Sequence, residues 1–391
     1  MSEWKEYKLG EICDVRDGTH DSPKEAPLGY PLVTSKNIKN GMIDLSNTYL
    51  ISESDYNFVN QRSKVEQWDV LFSMIGTIGE CAIVKEHPNY AIKNVGLFKT
   101  NGNRLLAEWI YYFFHSQQAK NEMNACLKGS TQQYISLTDL RNFPIEMPSN
   151  EDQHRIVSIL TSLDDKIDLL RRENATLEAM AETLFRQWFV VEAKEEWEEK
   201  PLSKCIKLIG GGTPKTSEES FWNGNVCWLS GGDIANNHKC FVFSSEKSIS
   251  EDGLNNSSAK LLPEDAMVVS ARGTVGKYCL LSKSMAFSQS NYGVLPVFDD
   301  CYFFTYLLVA FHIDELQSAA YGSVFDTITT KTFDGVRVLL PKDNSYVLAF
   351  EKMIDPYFKK MKNNNKQIQT LIQTRDGLLP KLMSNEIISV I

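Results

Sequence analysis

Histidine is scarce, at 6 residues in 391, and none stands in the His-Glu-x-x-His or His-x-Glu spacing of a catalytic metal site. His154, near a helix start, reads as a solvated or capping residue. The 8 cysteines include no Cys-x-x-Cys pair, which excludes a zinc cluster and a disulfide framework. No Gly-x-x-x-x-Gly-Lys-Ser/Thr loop is present: Gly273 to Lys277 comes nearest, but Tyr278 follows the lysine. Gly210-Gly211-Gly212 opens no dinucleotide fingerprint. The carboxylate pairs Asp164-Asp165 and Asp299-Asp300 fall at helix or loop edges and read as solvated. Catalysis by this chain alone is therefore not expected. Positive charge is not in excess, with 41 Lys plus Arg against 50 Asp plus Glu and a net charge of −9, so any nucleic-acid partner must be met through local patches. The longest apolar run, Cys301 to Phe311, is about half of a membrane span, and Met1-Ser2-Glu3-Trp4-Lys5 has no signal pattern. The expectation is a protein of the reducing cytoplasm with no membrane partner.

What the chain does have is a repeat. Trp4 and Leu9 recur as Trp197 and Leu202, offset by 193. Ser73 with Gly76-Thr77-Ile78-Gly79 recurs as Ser270 with Gly273-Thr274-Val275-Gly276, and Asn94 recurs as Asn291, both offset by 197. Gly129-Ser130 returns as Gly322-Ser323, and Pro148 as Pro341, at 193 again. Marks in one order at nearly constant spacing mean two diverged copies of one unit.

Each copy has two parts. The first is broken by Gly, Asn, Ser and Pro into short β-type runs such as Tyr30–Val33, Val70–Ser73 and Ala82–Val84, with one helix at Leu105–Phe114 or Tyr302–Phe311. The second carries apolar residues at steps of three and four. In the first copy these are Leu160, Leu163, Ile167, Leu170, Asn174, Leu177, Ala181, Leu184 and Trp188. In the second they are Ile354, Tyr357, Met361, Asn364, Ile368, Leu371, Arg375, Leu378 and Leu382. Neither helix can bury such a seam alone, so an antiparallel coiled coil is expected. A register in which partner numbers sum to 538 places Asn174 opposite Asn364, Leu177 opposite Met361, Leu184 opposite Ile354 and Trp188 opposite Phe350. It also sets Ile167 against Leu371 and Leu170 against Ile368. Pro356 and Arg375 fit this seam poorly and suggest a kink and a seam end. Charge complements weakly: residues 151–200 carry −6 and residues 351–391 carry +3.

The fold class is thus α+β, with two pseudo-repeated globules separated by two long helices. The expected boundaries are 1–150, 151–194, 195–343 and 344–391. The seam from Leu160 to Trp188 would be ~42 Å long at ~1.5 Å per residue. A duplex turn is ~34 Å, so globules spaced this way could meet major-groove segments a turn or more apart, with the helices as a ruler.

The positions common to both copies are small and polar: Thr19 beside Thr213, Ser73 beside Ser270, Thr77 beside Thr274, Asn94 beside Asn291, Ser130 beside Ser323. Between them the copies diverge. Ser35-Lys36-Asn37 stands against Gly231-Gly232-Asp233, Met74 against Arg272, and Thr131-Gln132-Gln133 against Val324-Phe325-Asp326. Arg and Lys can read guanine, and Asn and Gln adenine, in the major groove. His20, Lys215, Ser230, Asp233 and Gln289 complete the candidate contacts. A bivalent module for a glycan or peptide is the alternative, and it would have no affinity for DNA.

Leu163-Asp164-Asp165-Lys166-Ile167 through Asn174, Leu177-Glu178, Leu184-Phe185 and Trp188-Phe189, and the ending Leu378-Leu379-Pro380-Lys381-Leu382, resemble the specificity (S) subunit of type I restriction-modification enzymes. Gly212-Thr213-Pro214 with Ser230 to Ile234 is similar to the loop opening many of that family's recognition domains; Gly18-Thr19-His20 departs from it. The resemblance implies two target recognition domains, each reading half of a split site in double-stranded DNA. It implies helices that dock two methyltransferase (M) subunits and, where present, restriction (R) subunits. S-adenosylmethionine, ATP and Mg would belong to those partners; the chain itself lacks the Asn/Asp-Pro-Pro-Tyr/Phe motif of adenine methyltransferases.

Overall fold

The structure, a computed structural model, describes residues 4–129, 133–298, 300–321 and 327–384. Two compact units divide the chain: residues 1–166 with 371–391, and residues 167–370. The division falls inside the two long helices, Asn150–Arg186 and Asn344–Met383, so each unit takes part of both.

In the first unit, an antiparallel sheet has the order Asp14–Asp17, Val95–Lys99, Val70–Ser73, Cys81–Ile83. Its inner face packs Val70, Phe72 and Phe98 against Trp109, Phe113 and Phe114 of helix Arg104–His115, which Asn103 caps through Leu106 N. Leu160 of the first long helix and Leu379 and Leu382 of the second seal the same core. A three-stranded sheet, Leu50–Ile51, Tyr30–Val33, Ala91–Ile92, holds a smaller core with helix Glu53–Ser63.

The second unit repeats this plan. Ile206–Gly210, Asn291–Pro296, Met267–Ser270 and Tyr278–Leu281 form the matching sheet, extended by Phe241–Val242. Helix Tyr302–Phe311 covers it as expected, and helix Arg104–His115 overruns its expected limits by a residue at each end. Helices Glu53–Ser63 and Gln117–Cys126 are additions to the expected layout; both are rich in polar residues, which leaves their apolar period faint.

The long helices run antiparallel within the second unit. Asn364 Nδ2 donates to Asn174 Oδ1 at 2.9 Å, and the Trp188 and Phe350 rings lie 5.6 Å apart, both pairs the 538 sum requires. Met361, Ile354 and Phe350 are buried against Leu177, Leu184 and Trp188. The asparagine contact is wider than one pair, because Asn174 Nδ2 also donates to Asn365 Oδ1 at 2.7 Å and Asn364 Nδ2 to Glu173 Oε2 at 2.8 Å.

The second long helix continues through Pro356, from Asn344 to Met383, with Ile354, Phe358 and Met361 buried around the proline. One expectation is corrected. Arg375 does not end the seam. In the first unit its guanidinium meets Asp164 Oδ1 at 2.7 Å, and Tyr112 donates its hydroxyl to Asp164 Oδ2 at 2.8 Å. Asp164 is therefore a half-buried structural hub, whereas Asp165 is exposed. Asp299 lies outside the described residues. Among the described residues no helix is long and apolar enough to cross a membrane.

Candidate nucleic-acid interface

At the end of strand Val70–Ser73 the chain turns through Gly76 and Gly79, whose φ of +81° and +94° glycine adopts without strain. The turn is braced from inside. Ser73, fully buried, donates its hydroxyl to Ile75 O at 3.2 Å and lies 3.3 Å from Thr77 Oγ1. Thr77 Oγ1 donates to Ser35 O at 3.4 Å, and Ser35 Oγ to Asn94 O at 3.3 Å. Asn94 Oδ1 is 2.8 Å from His20 Nδ1, while His20 Nε2 is 3.0 Å from Asp17. Thr19 closes the ring through its backbone, donating to Ile92 O and accepting from Asn94 N, both at 3.1 Å. Residues scattered from 19 to 94 in sequence thus form one connected surface.

The second unit rebuilds that brace. Ser270 Oγ lies 2.9 Å from Thr274 Oγ1 and donates to Arg272 O at 3.2 Å; Thr274 Oγ1 donates to Gly231 O at 3.2 Å. Gly273 and Gly276 take φ of +76° and +78°. Gly212, ahead of the half-buried Thr213, is strapped by its N–H to Phe287 O and by its carbonyl to Trp228 Nε1 at 2.9 Å. A Cβ at Gly212 would meet Ser258 O at 2.1 Å, so only glycine fits this approach.

The structure sorts the candidates into frame and rim. Asn37 is buried: its Oδ1 accepts from Thr34 N and Oγ1, and its Nδ2 donates to Asp44 O at 3.1 Å, so it caps a turn and reads nothing. Asp233 likewise spends its carboxylate on Ser230 N, Ser230 Oγ and Glu246 N; this pair is a helix cap. Ser73, Ser270 and Asn291 are at most 1 % exposed and cannot reach a ligand without unfolding the loop. Asn291 Nδ2 donates to Ser288 Oγ at 2.7 Å. On the rim stand His20, Lys36 and Gln133 in the first unit, and Lys215, Arg272 and Gln289 in the second, while Thr77, though exposed, spends its hydroxyl on the frame. Ser130, Gln132 and Ser323 lie outside the described residues.

The expected pairing of Met74 with Arg272 is also corrected. Met74 O accepts from Ile135 N at 3.0 Å, and Ala271 O accepts from Ile328 N at 3.1 Å, so Met74 matches Ala271 and Ile75 matches Arg272. Tyr134, exposed beside Ile75 and paired with it in a β-bridge, was not singled out in sequence; its place directly after Gln132-Gln133 is the signal. Lys128 in the same loop is engaged by Asp139 at 2.6 Å, and that hydrogen bond holds its ammonium above the usual lysine range. The side chains of Lys36 and Arg272 have no hydrogen bond or ion pair among the described residues. An uncharged, rigid frame with free cationic and amide side chains at its rim suits base edges and phosphates better than catalysis.

Two such frames, each on an α+β unit that takes part of both long helices, make this a duplicated two-unit protein with one polar loop frame per unit. A family model for the type I restriction modification DNA specificity domain matches residues 1–179 and 194–373. The chain belongs to that family, and its role is DNA sequence recognition in restriction-modification. It is 25% identical over 99% of its length, and 100% of the relative's, to the type I restriction enzyme HindI specificity subunit of Haemophilus influenzae. It is 24% identical to the MjaIX specificity subunit of Methanocaldococcus jannaschii, covering 98% of this chain and 94% of that one. In fold it is similar to the S subunit of a type I restriction-modification system from M. genitalium, with a TM-score of 0.58, 16% identity and coverage of 97% and 96%.

Proposed function

We propose that each unit reads one half of a bipartite DNA site in the major groove, and that the paired helices set the gap and dock two methyltransferase subunits. The observation that carries this reading is one brace built twice, Ser73–Thr77–Ser35 and Ser270–Thr274–Gly231, under different exposed side chains. A frame held constant beneath a variable rim is what two readers of different sequences require. The chain performs no chemistry itself. S-adenosylmethionine belongs to the methyltransferase subunits, and ATP and Mg to restriction subunits where these join. The complex works in the cytoplasm, where the DNA is.

The test is an adenine-methylation map of cells carrying the cognate methyltransferase, with this gene present and deleted. A split motif methylated only when the gene is present supports the reading, and exchange of residues 1–150 then changes one half-site alone. An assembled complex that leaves the map unchanged overturns it.

A further inference from the structure

Arg272 differs from the other rim residues in how firmly its backbone is held. Its carbonyl accepts from Thr274 N at 2.9 Å and from Ser270 Oγ at 3.2 Å. The preceding residue, Ala271, is tied on both sides: its N–H donates to Ser290 O at 3.0 Å and its carbonyl accepts from Ile328 N at 3.1 Å. The following residue, Gly273, takes φ +76°, and a Cβ there would meet no atom within 4 Å. Arg272 itself is exposed, and its side chain has no ion pair or hydrogen bond among the described residues. A long cationic side chain on a backbone fixed at four points loses little further main-chain entropy on engaging a ligand. In the first unit the matching Ile75 is half-buried and packs on the core, although the brace around it is the same. The same frame therefore carries a fork of donors in one unit and an aliphatic group in the other.

Resting on the proposed reading of two half-sites, we infer that Arg272 is a specificity-determining residue of the second unit that selects a guanine, through bidentate donation to O6 and N7. Guanidinium geometry matches the two guanine acceptors, and no other base presents that pair in the major groove. A phosphate contact would use the same charge but would carry no base preference. The exposed amide of Gln289 lies in the segment that Ser290 ties to Ala271, so it is placed to read a neighbouring base without replacing the arginine.

The test uses the chain assembled with its methyltransferase subunits and a set of duplexes carrying each base at each position of the second half-site. In the wild-type complex one guanine of that half-site is preferred over the other bases by about tenfold to a hundredfold. In Arg272→Ile that preference collapses at the one position, and the first half-site is unchanged. In Arg272→Gln the preference moves toward adenine there, because the glutamine amide matches adenine N6 and N7. A uniform loss of affinity for every duplex in both variants, with the guanine preference intact, makes Arg272 a phosphate contact and overturns the inference. So does a second half-site without guanine. Both results leave the two-half-site reading standing, whereas a wild-type complex with no split preference defeats that reading itself.

Discussion

Replacing Asn174 by leucine isolates what the polar layer of the helix pair contributes. The substitution removes the acceptor for Asn364 Nδ2, 2.9 Å away, and the donor to Asn365 Oδ1, 2.7 Å away. Asn364 is 2 % exposed, so water cannot replace the lost partner, and only its bond to Glu173 remains. Stranding one buried donor costs about 1–3 kcal/mol, and the leucine regains up to about 1 kcal/mol by burying apolar area at a half-buried position. The second unit should therefore lose about 1–2 kcal/mol, a fall in its melting midpoint of about 2–8 °C for a unit of about 200 residues. Circular-dichroism melts and urea titrations, with the transitions of the two units fitted separately, supply the measurement. Asn364→Leu should also destabilise the second unit, because it removes the donor to Asn174 Oδ1 and to Glu173 Oε2, although Glu173 keeps Lys360 and Asn174 keeps Asn365. The double variant should cost less than the sum, with a coupling of at least about 0.5 kcal/mol. A single variant that melts with the wild type, or a cycle with no coupling, would refute the argument that these amides satisfy each other.

Four further outcomes are expected. Glu351 is buried where its carboxylate accepts from Phe303 N and Phe304 N, and burial pushes its pKa up to about 7. Since this folded-state value lies above the unfolded one, stability of the second unit should fall as pH rises from about 4.5 through 7, by up to about 3 kcal/mol, and Glu351→Gln should flatten that dependence in pH-resolved melts. Asp164→Asn weakens the hub that joins Tyr112 and Arg375 and should cost the first unit about 1–3 kcal/mol by denaturant titration. Gly273→Ala meets no atom within 4 Å yet must adopt φ +76°, so its cost should be about 1–2 kcal/mol, and Gly76→Ala should match it. Inserting four residues at matching positions of both long helices adds ~6 Å, which should lengthen the methylated motif's gap by about two base pairs and alter neither half-site.

The features legible in sequence are those fixed by periodicity. The seam residues recur at three and four, and only one antiparallel register sets one asparagine against the other, so Asn174 and Asn364 could be paired before any coordinates. The duplicated turns were equally plain, because positive-φ glycines at 76, 79, 273 and 276 leave a spacing that survives divergence. Loop polarity was not legible in the same way. Asn37 and Lys36 are neighbours of similar hydrophilicity, yet one is buried as a cap and the other is exposed, and nothing in their types decides which. That choice depends on which backbone donors each turn leaves unpaired, a property of residues far away, such as Asp44 for Asn37. The match of Met74 with Ala271, by contrast, follows from the same offset of 197 that relates Ser73 to Ser270, and the hydrogen bonds from Ile135 and Ile328 agree with it. Counted along the chain, every small polar residue looked like a reader. Counted by hydrogen-bonding capacity, Ser73 and Thr77 and their counterparts Ser270 and Thr274, identical in both units, have side chains that are already used. On the proposed reading, the capacity to discriminate between DNA sequences resides in the positions that differ, and these four shared residues make the difference usable by keeping the frame still.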